Sequence, residues 1–294
     1  MKNVNKPLGL LKSKEKRKTD ILISVIIVLA LFVWLCSNII YNRTNYEVEF
    51  YQVSSSKLSA GIRMIFLSDL HLREYGKNNE QLISEIENLD PDIIVLGGDM
   101  VNCKKDNYDN MVSFSEKIAA IAPVYAVLGN HEDVKIFMGK DTGLVKRFSD
   151  AGVHILRNSE EKIVINDNTV KLIGIEGNSG NFEKYGAKDI MEKCEKEASN
   201  DFTVCIAHVP ILFPERLADY SFDLGLAGHV HGGIVRLPKI GALYSSEEGF
   251  FPDYSAGEYA LKNGAKLIVS RGLGDSGIAP RINNTPEISV IDLI

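Results

Sequence analysis

Cysteine is scarce in this 294-residue chain, and the four present, Cys36, Cys103, Cys194 and Cys205, are scattered. That number and spacing exclude a disulfide framework and a zinc finger and leave ordinary thiols. Positive charge is outnumbered by negative over most of the length. The net charge is -6, yet residues 1–20 hold Lys2, Lys6, Lys12, Lys14, Lys16, Arg17 and Lys18 against only Glu15 and Asp20, so the remainder carries about -11. An acidic main portion has no electrostatic grip on a polyanion, and nucleic acid is not expected as a substrate or partner. Internal repeats and low-complexity tracts are also missing, and a single main domain is the default for this length.

What stands out instead is an uncharged apolar run, Ile21 to Tyr41. At about 1.5 Å per residue it just spans a hydrocarbon core of about 30 Å, so it reads as one transmembrane helix. The basic residues precede it and Arg43 alone follows closely, which puts the N-terminus in the cytoplasm and the remainder outside. A cleaved secretory signal is the competing reading; the run is longer than the usual apolar core of such signals, and no A-x-A-like site follows. Bulky Val33, Trp34 and Leu35 before Cys36 argue against lipoprotein processing. The expected organisation is a basic cytoplasmic tail at 1–20, a membrane helix at 21–41 and a catalytic domain at 46–294.

Tyr46, Val48 and Phe50 alternate with Glu47 and Glu49 as in an edge strand. Apolar runs at Ile62–Leu67, Ile93–Leu96 and Val124–Leu128 then alternate with helical patterns near Asn79–Leu89 and Met111–Ile121. This β-α-β-α-β rhythm predicts a sheet covered by helices on both faces, with ligands gathered at the carboxyl ends of its strands. Short strands at Val153–Leu156, Lys162–Ile165, Thr169–Ile175, Phe202–Ala207, Leu224–Ala227, Ala265–Val269 and Ile288–Leu293, with a helix near Ala187–Ala198, predict a second sheet completing a sandwich. The fold class expected is therefore α/β, a β-sandwich flanked by helices and preceded by one transmembrane helix.

The strand ends carry the chemistry. The first run ends in Ser68-Asp69-Leu70-His71, where residues two apart at a strand end aim the same way. The second ends in Gly97-Gly98-Asp99 and the third in Gly129-Asn130-His131-Glu132. Later strands end in His208 and in Gly228-His229-Val230-His231-Gly232-Gly233. Any one fragment is weak, because isolated histidines are commonly structural. Five of the six histidines in such turns, in this order, are not explained by core packing. Imidazole and oxygen donors without thiolate suit manganese, iron or zinc, and two such ions about 3.5–4 Å apart need a shared carboxylate between them. Water bridging them loses its proton near neutral pH and can attack phosphorus in line.

The order D-x-H, G-D, G-N-H-E, H, G-H-x-H resembles the calcineurin-like metallophosphoesterases, from about Tyr46 to the C-terminus. The GNHE and GHVHGG forms and the tail SRGLGDSGIAPRINNTPEI are similar to the membrane-associated bacterial branch. The resemblance implies that Asp69, His71, Asp99 and His231 bind one divalent metal and Asp99, Asn130, His208 and His229 a second, with Asp99 bridging. Manganese is the favoured metal, with iron or zinc as alternatives. His131 is left over to contact phosphate or protonate the leaving alkoxide. Two departures, Glu132 where Asp is also frequent and Val230 where Thr is frequent, remove no ligand.

Glu132 is read either as orienting His131 or as a plain surface carboxylate. Arg271 and the Gly272–Gly277 turn are read as pocket lining or as a bare turn. His154 and Cys205 are read as structural. The expected activity is hydrolysis of a phosphate mono- or diester at the membrane surface, on a lipid or cell-envelope phosphate. The alternatives are a catalytically silent scaffold of the same fold, which should lack ligands, and an envelope structural protein with an incidental site.

Overall fold

The computed structural model describes residues 8–139, 143–177, 180–197, 200–245, 248–275 and 280–294. A long helix, α1 (Leu8–Thr44), comes first. Its stretch Lys16–Thr44 is long and apolar enough to cross a membrane. Residues 1–7 of the basic tail lie outside the described residues, and the rest of that tail is already helical. Only Asn45 and Tyr46 separate α1 from the first strand.

Two six-stranded sheets follow. The first combines β1 (Glu47–Val53), β2 (Ile62–Leu67), β3 (Ile93–Leu96), β4 (Val124–Ala126), β5 (Val153–Ile155) and β16 (Glu287–Leu293), in the order β1-β16-β2-β3-β4-β5. The second combines β6 (Ser159–Ile165), β7 (Asn168–Ile175), β8 (Phe202–Ala207), β9 (Leu224–Ala227), β14 (Gly257–Ala260) and β15 (Lys266–Val269), in the order β14-β15-β9-β8-β7-β6. Strands β10 (Arg236–Leu237), β11 (Gly241–Ala242), β12 (Tyr244–Ser245) and β13 (Gly249–Phe250) form two small hairpins.

Side chains alternate across each strand, and that decides the layering. In β2, Met64 and Phe66 face the second sheet, where they meet Leu172, Val204 and Leu226. Ile65 and Leu67 face the other way, onto α2 (Glu80–Asn88), α3 (Asp109–Ala119) and α5 (Leu144–Asp150) through Leu82, Phe114 and Phe148. In β8, Val204 and Ile206 join the inter-sheet core, while Cys205 and Ala207 pack under α6 (Ala187–Lys196) and α7 (Leu212–Glu215). The layers run helix, sheet, sheet, helix.

This corrects one expectation. Helices cover only one face of the first sheet, because the second sheet takes the other. Both faces of β2 and β3 are apolar, so the local pattern is the same whether a helix or a sheet covers them. The short helix α4 (Asn130–Phe137), β10–β14, α5 and α7 carried too little periodicity to be read from sequence.

Candidate metal centre

Parallel strands β2, β3 and β4 point their carboxyl ends the same way, and β8 and β9 do so across the sandwich. The five turns that follow meet at one place. Asp69 N–H donates to Gly98 O at 2.9 Å and His71 N–H to Asp99 O at 3.0 Å, so the first two turns are zipped together. His229 N–H donates to both Asp69 carboxylate oxygens, at 2.9 and 3.1 Å, which ties the turn after β9 to the turn after β2.

The backbone in these turns is unusual. Asp69, His71, Asp99, His229 and His231 all have φ between 48° and 71°, a region that side-chain-bearing residues rarely adopt. The D-x-H pair thus converges through left-handed turns beyond the strand, not through strand alternation. Such conformations persist only where surrounding contacts overdetermine them, and they cluster at functional sites. Two glycines permit the crowding. A Cβ on Gly98 would meet His208 Nδ1 at 2.9 Å, and one on Gly228 would overlap Ser68 Oγ and the Asp69 carboxylate.

Three sets of donors converge: Asp69, His71 and His231; His71, Asp99 and His131; and Asp99, His208 and His229. His71 Nε2 lies 3.1 Å from His231 Nε2, and His208 Nε2 lies 3.3 Å from Asp99 Oδ2. Asp69 Oδ1 lies 3.4 Å from His231 Nε2 and 3.9 Å from His208 Nε2. Asn130 opens α4 with an exposed side chain. The preceding Gly129 packs so closely on Asp99 that a Cβ there would overlap its carboxylate.

Burial disfavours charge on all these groups, so their mutual interactions decide the balance. Against burial, His231 and His208 pull the Asp69 carboxyl below its ordinary value, and His208 and His71 hold Asp99 well below the carboxylate range. Against burial, Asp99 and Asp69 push His208 up to about 10. Burial, together with Arg281 and His71, takes His231 down to about 3 in spite of Asp69. Burial also lowers His131.

The donor set fits divalent cations. Gly97 O accepts from His208 Nδ1 at 2.7 Å, and Gly274 O lies 3.3 Å from His231 Nδ1. His208 gives its Nδ1–H to a backbone carbonyl, the usual support of a metal-ligating imidazole, whereas His231 Nδ1 also lies 3.2 Å from the Arg281 Nη2 donor. Facing ring nitrogens beside two depressed carboxylates form a donor set suited to divalent cations.

Three residues change role relative to the sequence reading. Glu132 neither orients His131 nor lies at the surface. It is 3 % exposed, and its carboxylate accepts N–H bonds from Asp99 at 2.8 Å, Val101 at 2.9 Å and Gly129 at 2.9 Å. Burial and Asp99 push its carboxyl up to about 7, opposed by the Val101 and Gly129 N–H groups. Arg271 turns to the β1–β16 edge and pairs with Glu287 at 2.6 Å and Glu49 at 2.8 Å. Residues 276 and 277 of the adjoining turn lie outside the described residues. Arg281, unremarked in the sequence, is 3 % exposed; it donates to Gly274 O at 2.6 Å, Arg271 O at 2.7 Å and His231 O at 3.2 Å. No local motif marks it, because its partners lie up to 50 residues away. His154 sits on β5, exposed, 3.5 Å from Glu161, and Cys205 is buried within β8.

The end of α1 is bonded to the segment that carries Arg281. Asn38 and Asn283 exchange two hydrogen bonds, at 2.8 and 3.1 Å, and Asn42 Nδ2 donates to Arg281 O at 3.2 Å. Thr285 Oγ1 donates to Asn42 Oδ1 at 3.0 Å, and Arg73 Nη2 to Asn42 O at 3.0 Å.

The family model for calcineurin-like phosphoesterases matches residues 62–233, which include every candidate ligand. An uncharacterised metallophosphoesterase of Aquifex aeolicus is 26% identical over 84% of this chain and 91% of its own length. Phosphodiesterase YaeI of Escherichia coli is 29% identical over 80% of this chain and 83% of its own. Among solved structures, TT1561 of Thermus thermophilus superposes with a TM-score of 0.46 at 11% identity, over 73% of this chain and 91% of that one.

Proposed function

The chain belongs to the calcineurin-like phosphoesterase family, and from that membership we propose that it is a metal-dependent hydrolase of a phosphate mono- or diester, working at a membrane surface. The observation that carries this reading is the convergence of Asp69, His71, Asp99, His208, His229 and His231 from four separate turns, with Asp99 between the two groups of donors. Asp69, His71, Asp99 and His231 would hold one ion, and Asp99, Asn130, His208 and His229 the other. Manganese suits these donors, with iron or zinc as alternatives. When bound, such a pair supplies a Lewis acid for the phosphoryl oxygens and lowers the pKa of the attacking water.

The chain's own groups do the rest. His131 N–H donates to Asp99 Oδ1 at 2.7 Å, which fixes the bridging carboxylate, and Cys103 N–H donates to His131 Nδ1 at 3.1 Å. That second bond leaves the proton of the neutral ring on Nε2, where it can be donated as a hydrogen bond to a phosphoryl or leaving-group oxygen. Burial depresses the His131 pKa, which keeps the ring in this neutral donor form near pH 7. Glu132 holds the turns after β3 and β4 together through three backbone N–H groups, so that Asp99 and His131 move as one body.

The membrane location rests on α1 and its bonded contact with residues 281–285. Residues 1–20 form the cytoplasmic tail, 21–41 cross the bilayer and 46–294 lie outside, facing lipid or envelope phosphates. A cysteine introduced near the C-terminus is labelled from outside intact cells under this topology; labelling only after lysis reverses it. The activity is tested by manganese-dependent hydrolysis of p-nitrophenyl and bis-p-nitrophenyl phosphate by the wild type and Asp99→Asn. Equal rates in the two proteins would falsify the assignment and leave a silent scaffold of the same fold.

A further inference from the structure

A groove of about 690 Å³ runs beside α4, lined by Val134, Ile136, Phe137, Met138 and Tyr185, with Asp133 at its polar end. Among the described residues nothing covers its exposed side chains: Phe137 is 89 % exposed, Met138 63 % and Tyr185 59 %. The opposite side of α4 is anchored by Glu132 and Lys135, both buried. The helix therefore displays its apolar residues outward while held rigidly, whereas surface helices normally turn such residues inward.

The groove runs along the helix whose first turn carries His131. His131 and Asp133 share the first turn of α4, and the Asp133 carboxyl, raised to about 6 mainly by burial and by Glu176, also feels His208 and Asp99. Val134 and Met138 follow His131 at the third and seventh positions, along one side of a helix. Met138 therefore stands about 10 Å along the axis from His131. The wall opposite α4 includes Arg157 and Glu176, paired with each other at 2.5 Å and so not offered as charges to an anion. Size and lining suit one apolar chain of a ligand.

Resting on the phosphoesterase reading, we propose that this groove is the leaving-group subsite, and that the substrate is a phosphodiester of an alcohol bearing an extended alkyl or isoprenoid chain. His131 Nε2–H hydrogen-bonds the departing oxygen, so the body of that alcohol lies on the His131 side, along α4. Water forms the new P–O bond, the P–O bond to the apolar alcohol breaks, and the departing oxygen, hydrogen-bonded by His131 Nε2–H, takes up through solvent the proton that water loses. The products are the free apolar alcohol and the phosphorylated remainder. An anchored enzyme meets such substrates in the bilayer that holds it.

Alkylphosphocholines of four to ten carbons, given to the full chain in nanodiscs, test this. Phosphocholine release should rise about twofold per methylene, half the effect of full burial, and level off at roughly eight carbons, the reach of the groove. In Phe137→Ser and Met138→Ser the slope with chain length flattens, whereas Val164→Ser, an exposed apolar site on β6 outside the groove, keeps it. A wild-type rate independent of chain length, or release of choline in place of phosphocholine, overturns the inference even if bis-p-nitrophenyl phosphate is hydrolysed. Loss of all hydrolysis refutes the phosphoesterase reading instead. Binding of decylphosphocholine, read by saturation-transfer NMR against empty nanodiscs, then judges the groove separately. Binding weakened by Phe137→Ser supports it, and equal binding in the two proteins refutes it.

Discussion

Replacing Glu132 by glutamine isolates the contribution of one buried carboxylate to the metal centre. In the wild type, Oε2 accepts from Asp99 N–H and Gly129 N–H, and Oε1 accepts from Val101 N–H. Glutamine offers one oxygen, so two of these bonds survive in neutral form. The third donor then faces an NH2 group. An orphaned buried donor costs about 1–3 kcal/mol, and the two remaining bonds lose their charge assistance, about 0.5 kcal/mol each. Removing the negative charge offsets part of this, because burial and Asp99 oppose the ionised form and push the carboxyl up to about 7. With metals neutralising Asp99 that offset is small, and a net loss of about 2 kcal/mol is expected, or roughly 4–8 °C in Tm for a domain of this size. Thermal unfolding of the full chain in nanodiscs with manganese measures the first effect, and equilibrium dialysis of manganese measures the second. Metal affinity should fall with stability, since the same N–H groups hold the Asp99 turn in place. A variant with unchanged Tm and unchanged manganese binding refutes the claim that Glu132 fastens these turns.

Other outcomes are equally specific. Arg281→Met removes the donors to Gly274 O and His231 O and should lower manganese affinity about tenfold; Arg281→Lys should recover part of it, and identical binding by all three proteins argues against a positioning role. Gly98→Ala places a Cβ against His208 Nδ1 at a φ of 92°, so metal binding should be lost while far-UV circular dichroism is retained. Glu160 is held at about 2, because the Cys194 thiol and the Lys193 and Lys171 ammonium groups outweigh its burial. Its folded value lies below its ordinary 4.5, so its stabilising contribution is present above pH 4.5 and is lost as pH falls toward 2. The urea midpoints of wild type and Glu160→Gln should differ at pH 6 and converge on acidification. A constant gap across that range contradicts the ion-pair account.

Much of the fold was legible because strands and ligand turns are local patterns. The runs Ile62–Leu67, Ile93–Leu96, Phe202–Ala207 and Leu224–Ala227 are strands with the expected bounds. The glycine-rich turns after them mark where side chains must crowd. Less was legible where the decisive partner is remote in sequence. Glu132 read as a partner of His131 or a surface group because its three partners are backbone N–H groups, two of them in another turn, which leave no trace in composition. Arg271 stayed open between pocket lining and a bare turn because nothing local shows the glutamates that neutralise it.

The sequence by itself determined the kind of chemistry: which donors exist, in what order, and that one long uncharged apolar segment precedes them. Side-chain type and short-range periodicity are properties of neighbours along the chain, and neighbours can be read directly. The tertiary structure alone decided which donors meet. Asp69 and His229, 160 residues apart, are joined because β2 and β9 end at the same rim of the sandwich. It also decided that Arg281 serves the site while Arg271 does not, and that the exposed side of α4 opens as a groove beside His131. Those outcomes depend on strand order and on which faces pack together, and both follow from the whole core's burial of apolar surface, not from any short segment.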